Sequence, residues 1–427
     1  MSITISGNAN RLEIRIKKEV KKMPGSIKDR VAIVGMGCTK FGERWDASAD
    51  DLLVEAAYEA FEDAGIEPKE VQAAWFGTTS SANTGMGLSQ PLKLQYIPVT
   101  RVENACATAS DAFRNACYAV AAGIYDIVLA IGVDKLKDTG ISGLGGAQPN
   151  PSHVLAPEST APGNFALLAT TYFSRYGLSF EEGKHMIGRV SWKSHKNGAL
   201  CRNAHFQGEV PMETILNAPM IAWPLGLFDC CGVSDGSAAA IIATPEIAKK
   251  LRKGKAPPVF VKALQISAHP RDGKFTPKYD YTHVESTVRA AQAAYKEAGI
   301  TKPREQISMA EVHDCFSITE AVTMEDLGFS PRGKVRDDIE NGFFDLDGKL
   351  PVQPDGGLKC FGHPIGASGI RMLYEMYKQL QGKADDILNP GMPSRQIKNP
   401  KLGLTHNLGG TPDGCMIFVG IVGLEGV

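Results

Sequence analysis

Glu55-Ala56-Ala57-Tyr58-Glu59-Ala60-Phe61-Glu62-Asp63-Ala64-Gly65-Ile66 returns 234 residues later as Arg289-Ala290-Ala291-Gln292-Ala293-Ala294-Tyr295-Lys296-Glu297-Ala298-Gly299-Ile300. In the first copy Leu52, Leu53, Ala56, Ala57, Ala60 and Phe61 fall on one side of a helix over 50–63. Ala-Gly-Ile ends each copy, because glycine accepts the left-handed turn that closes a helix. A strand-like run follows each time, at 73–77 and at 309–312. A buried strand run at 31–37 precedes the first copy. A second echo supports the first: Asp235-Gly236 leads into a strand at 237–243, and Asp413-Gly414 into one at 415–422. Helix, stop and strand in the same order predict two similar α/β halves, 29–255 and 256–427. Chance likeness of two alanine-rich helices is the weaker reading.

Between these signals the texture changes. Over 138–225 glycine, proline, serine and asparagine are frequent, and Trp192 and Trp223 stand among basic residues. This reads as a long insertion in the first half, of the kind that serves binding. Residues 1–28 read as an extension: a solvated tail, or a short edge strand where Leu12, Ile14 and Ile16 alternate with charges, or a contact surface for a partner.

The 427 residues carry 46 basic and 47 acidic side chains, for a net charge of −1. That balance argues against nucleic acid as a partner. The charged first thirty residues lack a secretory apolar core, and no 18-residue apolar run suggests a membrane span. The nine cysteines include no C-x-x-C pair, so neither a disulfide framework nor a metal site is expected. Reduced thiols in the cytoplasm are expected.

Four loops hold the chemistry-bearing residues. Asn104-Ala105-Cys106-Ala107-Thr108 precedes a helical pattern running to Ala122. A cysteine there meets the positive end of a helix dipole, which favours thiolate; a small buried hydrophobe is the alternative. His313-Asp314-Cys315-Phe316 follows the 309–312 strand and offers a second thiol as acid and base. Gly362-His363-Pro364 opens another helix, 370–380. His363 there serves as a base toward Cys106 or as a structural cap. His406-Asn407-Leu408-Gly409-Gly410 is a strand entering a glycine turn, whose amides can face an oxyanion or simply turn the chain.

In this order the four motifs resemble the thiolase superfamily, from about residue 30 onward. The likeness is to the sterol-carrier-protein type and its archaeal and bacterial relatives, where His-Asp-Cys-Phe replaces Asn-Glu-Ala-Phe. The resemblance implies the thiolase fold: two similar halves in αβαβα layers, with a loop domain at about 138–225. It implies Cys106 as acylated nucleophile and His363 as its base. Asn407-Leu408-Gly409 lacks the usual second cysteine, and Cys315 replaces it as acid and base. His313 and His363 would form one oxyanion hole, and the amides of Cys106 and Gly409 the other. Lys193, Lys196 and Arg202, in a stretch resembling the family's CoA-covering loop, become candidate CoA contacts, against solvated basic residues as the alternative. CoA is then a substrate, with no permanently bound cofactor.

The expected activity is cleavage of a 3-oxoacyl-CoA by CoA, or the reverse Claisen condensation. The long extension and Asp229-Cys230-Cys231-Gly232 lean toward a bulky substrate such as 2-benzoylsuccinyl-CoA. Acetoacetyl-CoA, feeding hydroxymethylglutaryl-CoA synthesis, is the alternative, and a thiolase-like retro-aldolase is a third reading. A homodimer joined by a small OB-fold zinc-ribbon subunit is the implied assembly.

Overall fold

The repeated phrase forms two helices that end alike. Helix Ala49–Ala64 opens on a Ser48–Asp51 capping box and stops at Gly65, φ 75°. Helix Glu285–Ala298 stops at Gly299, φ 81°. Both glycines sit where a side chain would be strained. The computed structural model describes residues 25–139, 160–270, 279–385 and 393–427, and the backbone of 3–6 and 13–16.

Its strands are β1 (Ile3–Ser6), β2 (Glu13–Ile16), β3 (Ala32–Cys38), β4 (Ala73–Gly77), β5 (Val99–Val102), β6 (Ile127–Asp134), β7 (Met220–Ala222), β8 (Leu225–Gly226), β9 (Gly236–Ala243), β10 (Val259–Ala268), β11 (Met309–Glu311), β12 (Leu402–Thr411) and β13 (Gly414–Gly423). Nine of them form one sheet, ordered β11-β12-β13-β10-β3-β9-β6-β4-β5.

The duplication is visible strand by strand. In the first half β3 pairs antiparallel with β9, and β9 antiparallel with β6. Then β6 runs parallel to β4, and β4 parallel to β5. In the second half β10–β13 and β13–β12 are antiparallel and β12–β11 is parallel. A lone parallel bridge, Ala310 to Val352, stands where β5 stands in the first half. Within the sheet the halves join where β10 runs antiparallel to β3, at the residue pairs Val259–Ile33 and Phe260–Ala32.

Parallel neighbours need crossover helices, and these make the layers. Helix Ala49–Ala64 covers the outer face of the first half, and Glu285–Ala298 that of the second. Helices Thr108–Ala121 and Ser368–Leu380 pack on each other and on strands of the sheet, and form the middle layer. The approach of these elements is set by missing side chains. A Cβ on Gly369 would lie 2.1 Å from Ser110 Oγ, so the two middle helices cross nearly backbone to backbone. A Cβ on Gly37 of β3 would lie 2.1 Å from the Ala56 carbonyl. Gly37→Ala is therefore expected to destabilise the fold by about 1–3 kcal/mol, the usual cost of overpacking. A thermal melt measures this.

The expected insertion is helical where described. Helices Ala161–Tyr176 and Phe180–Gly198 and the β7–β8 hairpin rest on the second half. Phe165 stacks on Phe316 with ring centroids 4.6 Å apart. The 140–159 part of the insertion lies outside the described residues. In the expected extension β1 and β2 pair with each other, antiparallel; Leu12 lies outside the described residues. No helix among the described residues is long and apolar enough to cross a membrane.

Candidate active site

Cys106 follows a residue held in an unusual conformation. Ala105 has φ 48°, costly for a side chain bearing a Cβ. The loop is locked from several sides. Thr108 Oγ1 accepts from the Asn104 amide at 2.8 Å and donates to the Ala105 carbonyl at 2.6 Å. The Asn104 side chain donates to Asp111 at 2.7 Å. Gly409 of β12 packs against the loop: a Cβ there would meet the Asn104 carbonyl at 2.3 Å. This turn presents Cys106 at the mouth of helix Thr108–Ala121, as the sequence predicts.

The thiol is not held as a thiolate. Burial, with Asp134 nearby, pushes it up to about 12, against hydrogen bonds from the Gly410 amide and its own. Desolvation thus outweighs the helix-end effect on which the sequence reading relied.

His363 occupies the corresponding place in the second half, before helix Ser368–Leu380. Ser368 Oγ donates to the Pro364 carbonyl at 2.9 Å and sits 2.7 Å from His363 Nδ1. Nδ1 therefore carries the proton and donates to Ser368. Nε2 is left as an acceptor with no partner. Burial, with Arg371 nearby, holds this imidazole neutral, down at about 3. Asp134 fixes the loop: its carboxylate accepts from the Gly366 amide at 2.6 Å, from Thr78 Oγ1 at 2.9 Å and from Thr79 Oγ1 at 2.7 Å. A Cβ on Gly366 would stand 2.6 Å from the Val133 carbonyl.

His313 completes a cluster. Sulfur or nitrogen atoms of Cys106, His313 and His363, one from each, lie within 4.8 Å of one another. The rings of His313 and His363 meet edge to face at 5.3 Å. His313 Nδ1 is buried without a partner. Its backbone amide donates to His406 Nδ1 at 3.4 Å, while His406 Nε2 meets Thr287 Oγ1 at 3.1 Å. His406 is thus a brace behind His313.

Cys315 is buried, and burial, with Cys231 and Cys106 close by, raises its thiol well above the ordinary value. The Asp229–Gly232 segment runs alongside: Cys230 bridges to Phe316, and the Cys231 amide donates to the Cys315 carbonyl at 2.9 Å. Three thiols, from residues 106, 231 and 315, thereby share one neighbourhood.

Burial also pushes His406 down to about 3 and His195 to about 4. These two and His363 are neutral when folded but take a proton when unfolded below about pH 6.5. At these three sites the unfolded chain then binds more protons, so their contribution to stability falls as pH drops below 6.5; below about pH 6 the buried carboxyls of Asp314 and Asp326, raised to about 6, work in the opposite direction. The expected slope is about 1.4 kcal/mol per histidine per pH unit. Melting temperatures between about pH 6 and 7.5 check this; no fall on acidification across that window contradicts it.

One expectation is corrected. Lys193 is no phosphate contact: it is buried, its ammonium is paired with Glu320, and it donates to the Val352 carbonyl at 3.0 Å. At the Cys106 sulfur the Gly410 amide reaches in, while Gly409 packs closely against the Asn104–Ala107 turn. Lys196 lies 5.0 Å above the Trp192 ring and lines a cleft of about 790 Å³ with Lys349 and Lys398, which none of Cys106, His313, Cys315 or His363 lines. Arg202 is exposed.

The sequence reading missed Asp134, Ser368 and Lys359. Only Asp134 had a local signal, an acid at the end of an apolar strand run.

The chain matches two family descriptions, "Thiolase, N-terminal domain" over residues 31–219 and "Thiolase C-terminal domain-like" over 267–419. It is 36% identical to an acetyl-CoA acetyltransferase of Methanothermobacter thermautotrophicus, over 89% of this chain and 96% of that one. It is 30% identical to the benzoylsuccinyl-CoA thiolase subunit BbsB of Thauera aromatica, covering 89% and 95%. Among solved structures the Ltp2-ChsH2(DUF35) aldolase shares the fold, with a TM-score of 0.79 at 24% identity, covering 94% of this chain and 99% of that one.

Proposed function

The chain belongs to the thiolase family of acyltransferases, and from that premise we propose that it moves an acyl group between carbon and CoA sulfur through an acyl-cysteine on Cys106. One observation carries this assignment: the reactive atoms of Cys106, His313 and His363 converge within 4.8 Å, with His363 Nε2 and His313 Nδ1 buried and unpartnered. Nitrogens left so would be costly unless a substrate satisfies them.

In the cleavage direction His363 Nε2 takes the Cys106 proton as sulfur attacks the 3-oxo carbon. The carbon–carbon bond then breaks and the departing enolate takes a proton from Cys315. CoA gives its thiol proton to the Cys315 thiolate and attacks the acyl-cysteine. Cys106 leaves and recovers its proton from His363. His313 and His363 stabilise one oxyanion, and the amides of Cys106 and Gly409 the other. In condensation the steps reverse. Because both thiol and imidazole rest neutral, proton transfer accompanies attack. CoA enters as a substrate; no bound cofactor takes part.

Greater identity to acetyl-CoA acetyltransferases than to the benzoylsuccinyl-CoA subunit supports acetoacetyl-CoA as the first substrate to try. The thiol-rich Asp229–Gly232 segment beside Cys315 keeps a bulky or aromatic acyl group as the second. A homodimer with a small OB-fold zinc-ribbon partner is the proposed assembly; its support is the DUF35 component of the solved aldolase and the subunit status of the BbsB relative.

A thiolysis screen across acetoacetyl-CoA and branched or aromatic 3-oxoacyl-CoAs, with and without co-purifying small proteins, tests the substrate. Mass spectrometry of quenched enzyme tests the intermediate. Turnover with no acyl group on Cys106 would favour the retro-aldolase instead.

A further inference from the structure

Lys359 lies on the short helix Gly357–Cys360, just before Gly362-His363-Pro364. The helix is entered through two glycines in the left-handed region, Gly356 at φ 101° and Gly357 at φ 66°. A Cβ on Gly357 would lie 2.5 Å from Asp314 Oδ2, so the glycine lets the helix start against the Asp314 carboxylate. That carboxylate accepts from the Leu358 amide at 2.7 Å. The side chain of Lys359 is then carried inward, with only 2% of its surface exposed.

A buried ammonium normally finds a carboxylate. Lys193 and Lys184 each do, with Glu320 and Asp229. Lys359 does not: among the described residues its Nζ forms no ion pair, and it donates to two peptide carbonyls. One belongs to Asp314, at 2.9 Å, and the other to Asp229, at 3.3 Å. Asp314 immediately precedes Cys315, and Asp229 lies two residues before Cys231. The ammonium therefore joins the two segments that bring these thiols together, and its charge acts on them and on the buried Asp314 carboxylate alike.

We propose that Lys359 is a positioning residue for carbon–carbon chemistry: its buried ammonium, bridging the Asp229 and Asp314 carbonyls, fixes Cys315 in place and stabilises the thiolate that Cys315 becomes when it gives up its proton. This rests on the role proposed above for Cys315. Burial works against that thiolate. The groups facing Cys315 are Cys231, Cys106, Asp314 and Lys359; of these, Lys359 alone is a cation, and it opposes the effect of burial. The same charge reaches Cys231 and His313, and it disfavours a protonated His313. One cation thus keeps a neutral imidazole and an ionisable thiol on the same substrate.

The test uses the full-length chain. Lys359→Gln keeps donors for both carbonyls and removes the charge; Lys359→Arg keeps the charge. For Lys359→Gln the thiolysis step is expected to slow at least tenfold at pH 7. Its rate–pH profile is expected to move alkaline by about one unit or more, since a unit is a factor of ten. Acylation of Cys106 by acetyl-CoA, which makes and breaks no carbon–carbon bond and is followed by mass spectrometry, is expected to change little. For Lys359→Arg the profile is expected to stay with wild type even where the maximal rate drops. An unmoved profile in Lys359→Gln would overturn the proposal, as would an equal displacement in Lys359→Arg. Should Lys359→Gln not fold, the Lys359→Arg profile decides alone. If wild type itself forms no acyl-Cys106 and performs no thiolysis, the parent assignment fails instead.

Discussion

Cys106→Ala is expected to lose about four orders of magnitude or more in turnover, as removal of a covalent nucleophile does in other acyl-transfer enzymes. The reason is local. Cys231 and Cys315 share the neighbourhood, but among the described residues Cys106 is the thiol that clusters with both His313 and His363. The folded state should survive, because the turn is held by Thr108, Asn104 and Gly409 packing and not by the sulfur. The melting temperature is therefore expected to remain close to wild type. Acyl-CoA should leave no covalent adduct at position 106. Residual turnover within tenfold of wild type would remove the acyl-cysteine from the mechanism.

Cys315→Ser is expected to separate the two halves of the reaction. Acylation of Cys106 by an acyl-CoA draws on His363 and the oxyanion donors, and should proceed. Carbon–carbon bond formation and cleavage need a proton moved at the substrate's 2-carbon, and should slow by about 10²–10⁴-fold, the usual worth of a general acid–base. Serine is nearly the same size, so packing against Phe316 and the Cys231 amide is kept, and the loss reports proton transfer. Quenched-flow mass spectrometry for the acyl-enzyme, set beside a thiolysis assay, resolves the two. Wild-type rates in both would exclude Cys315.

The fold was legible because duplication is written in local patterns. The alanine-rich face of each repeated helix and its terminal Gly-Ile are short-range signals, and both helices formed within a few residues of their expected ends. The β5 equivalent was not legible, since it is reduced to the single bridge at Val352. Of the site, Cys106, His313, Cys315 and His363 were readable as residues beside glycines, helix starts or strand ends. Lys193 was misread because charge in a helical pattern says nothing about which residues turn inward; Glu320, 127 residues away, decides that.

By itself the sequence determined the repeated α/β plan, the nucleophile turn and the glycines that let elements touch, because helix stops, strand runs and glycine positions depend on neighbours a few residues apart. The tertiary structure alone decided that Cys106 rests protonated, that the Gly410 amide reaches its sulfur, and that Lys359 joins the segments carrying Cys231 and Cys315. Those outcomes depend on desolvation and on contacts between residues distant in sequence, 45 positions for Lys359 and Asp314 and 130 for Lys359 and Asp229, and neither is set until the chain has closed on itself.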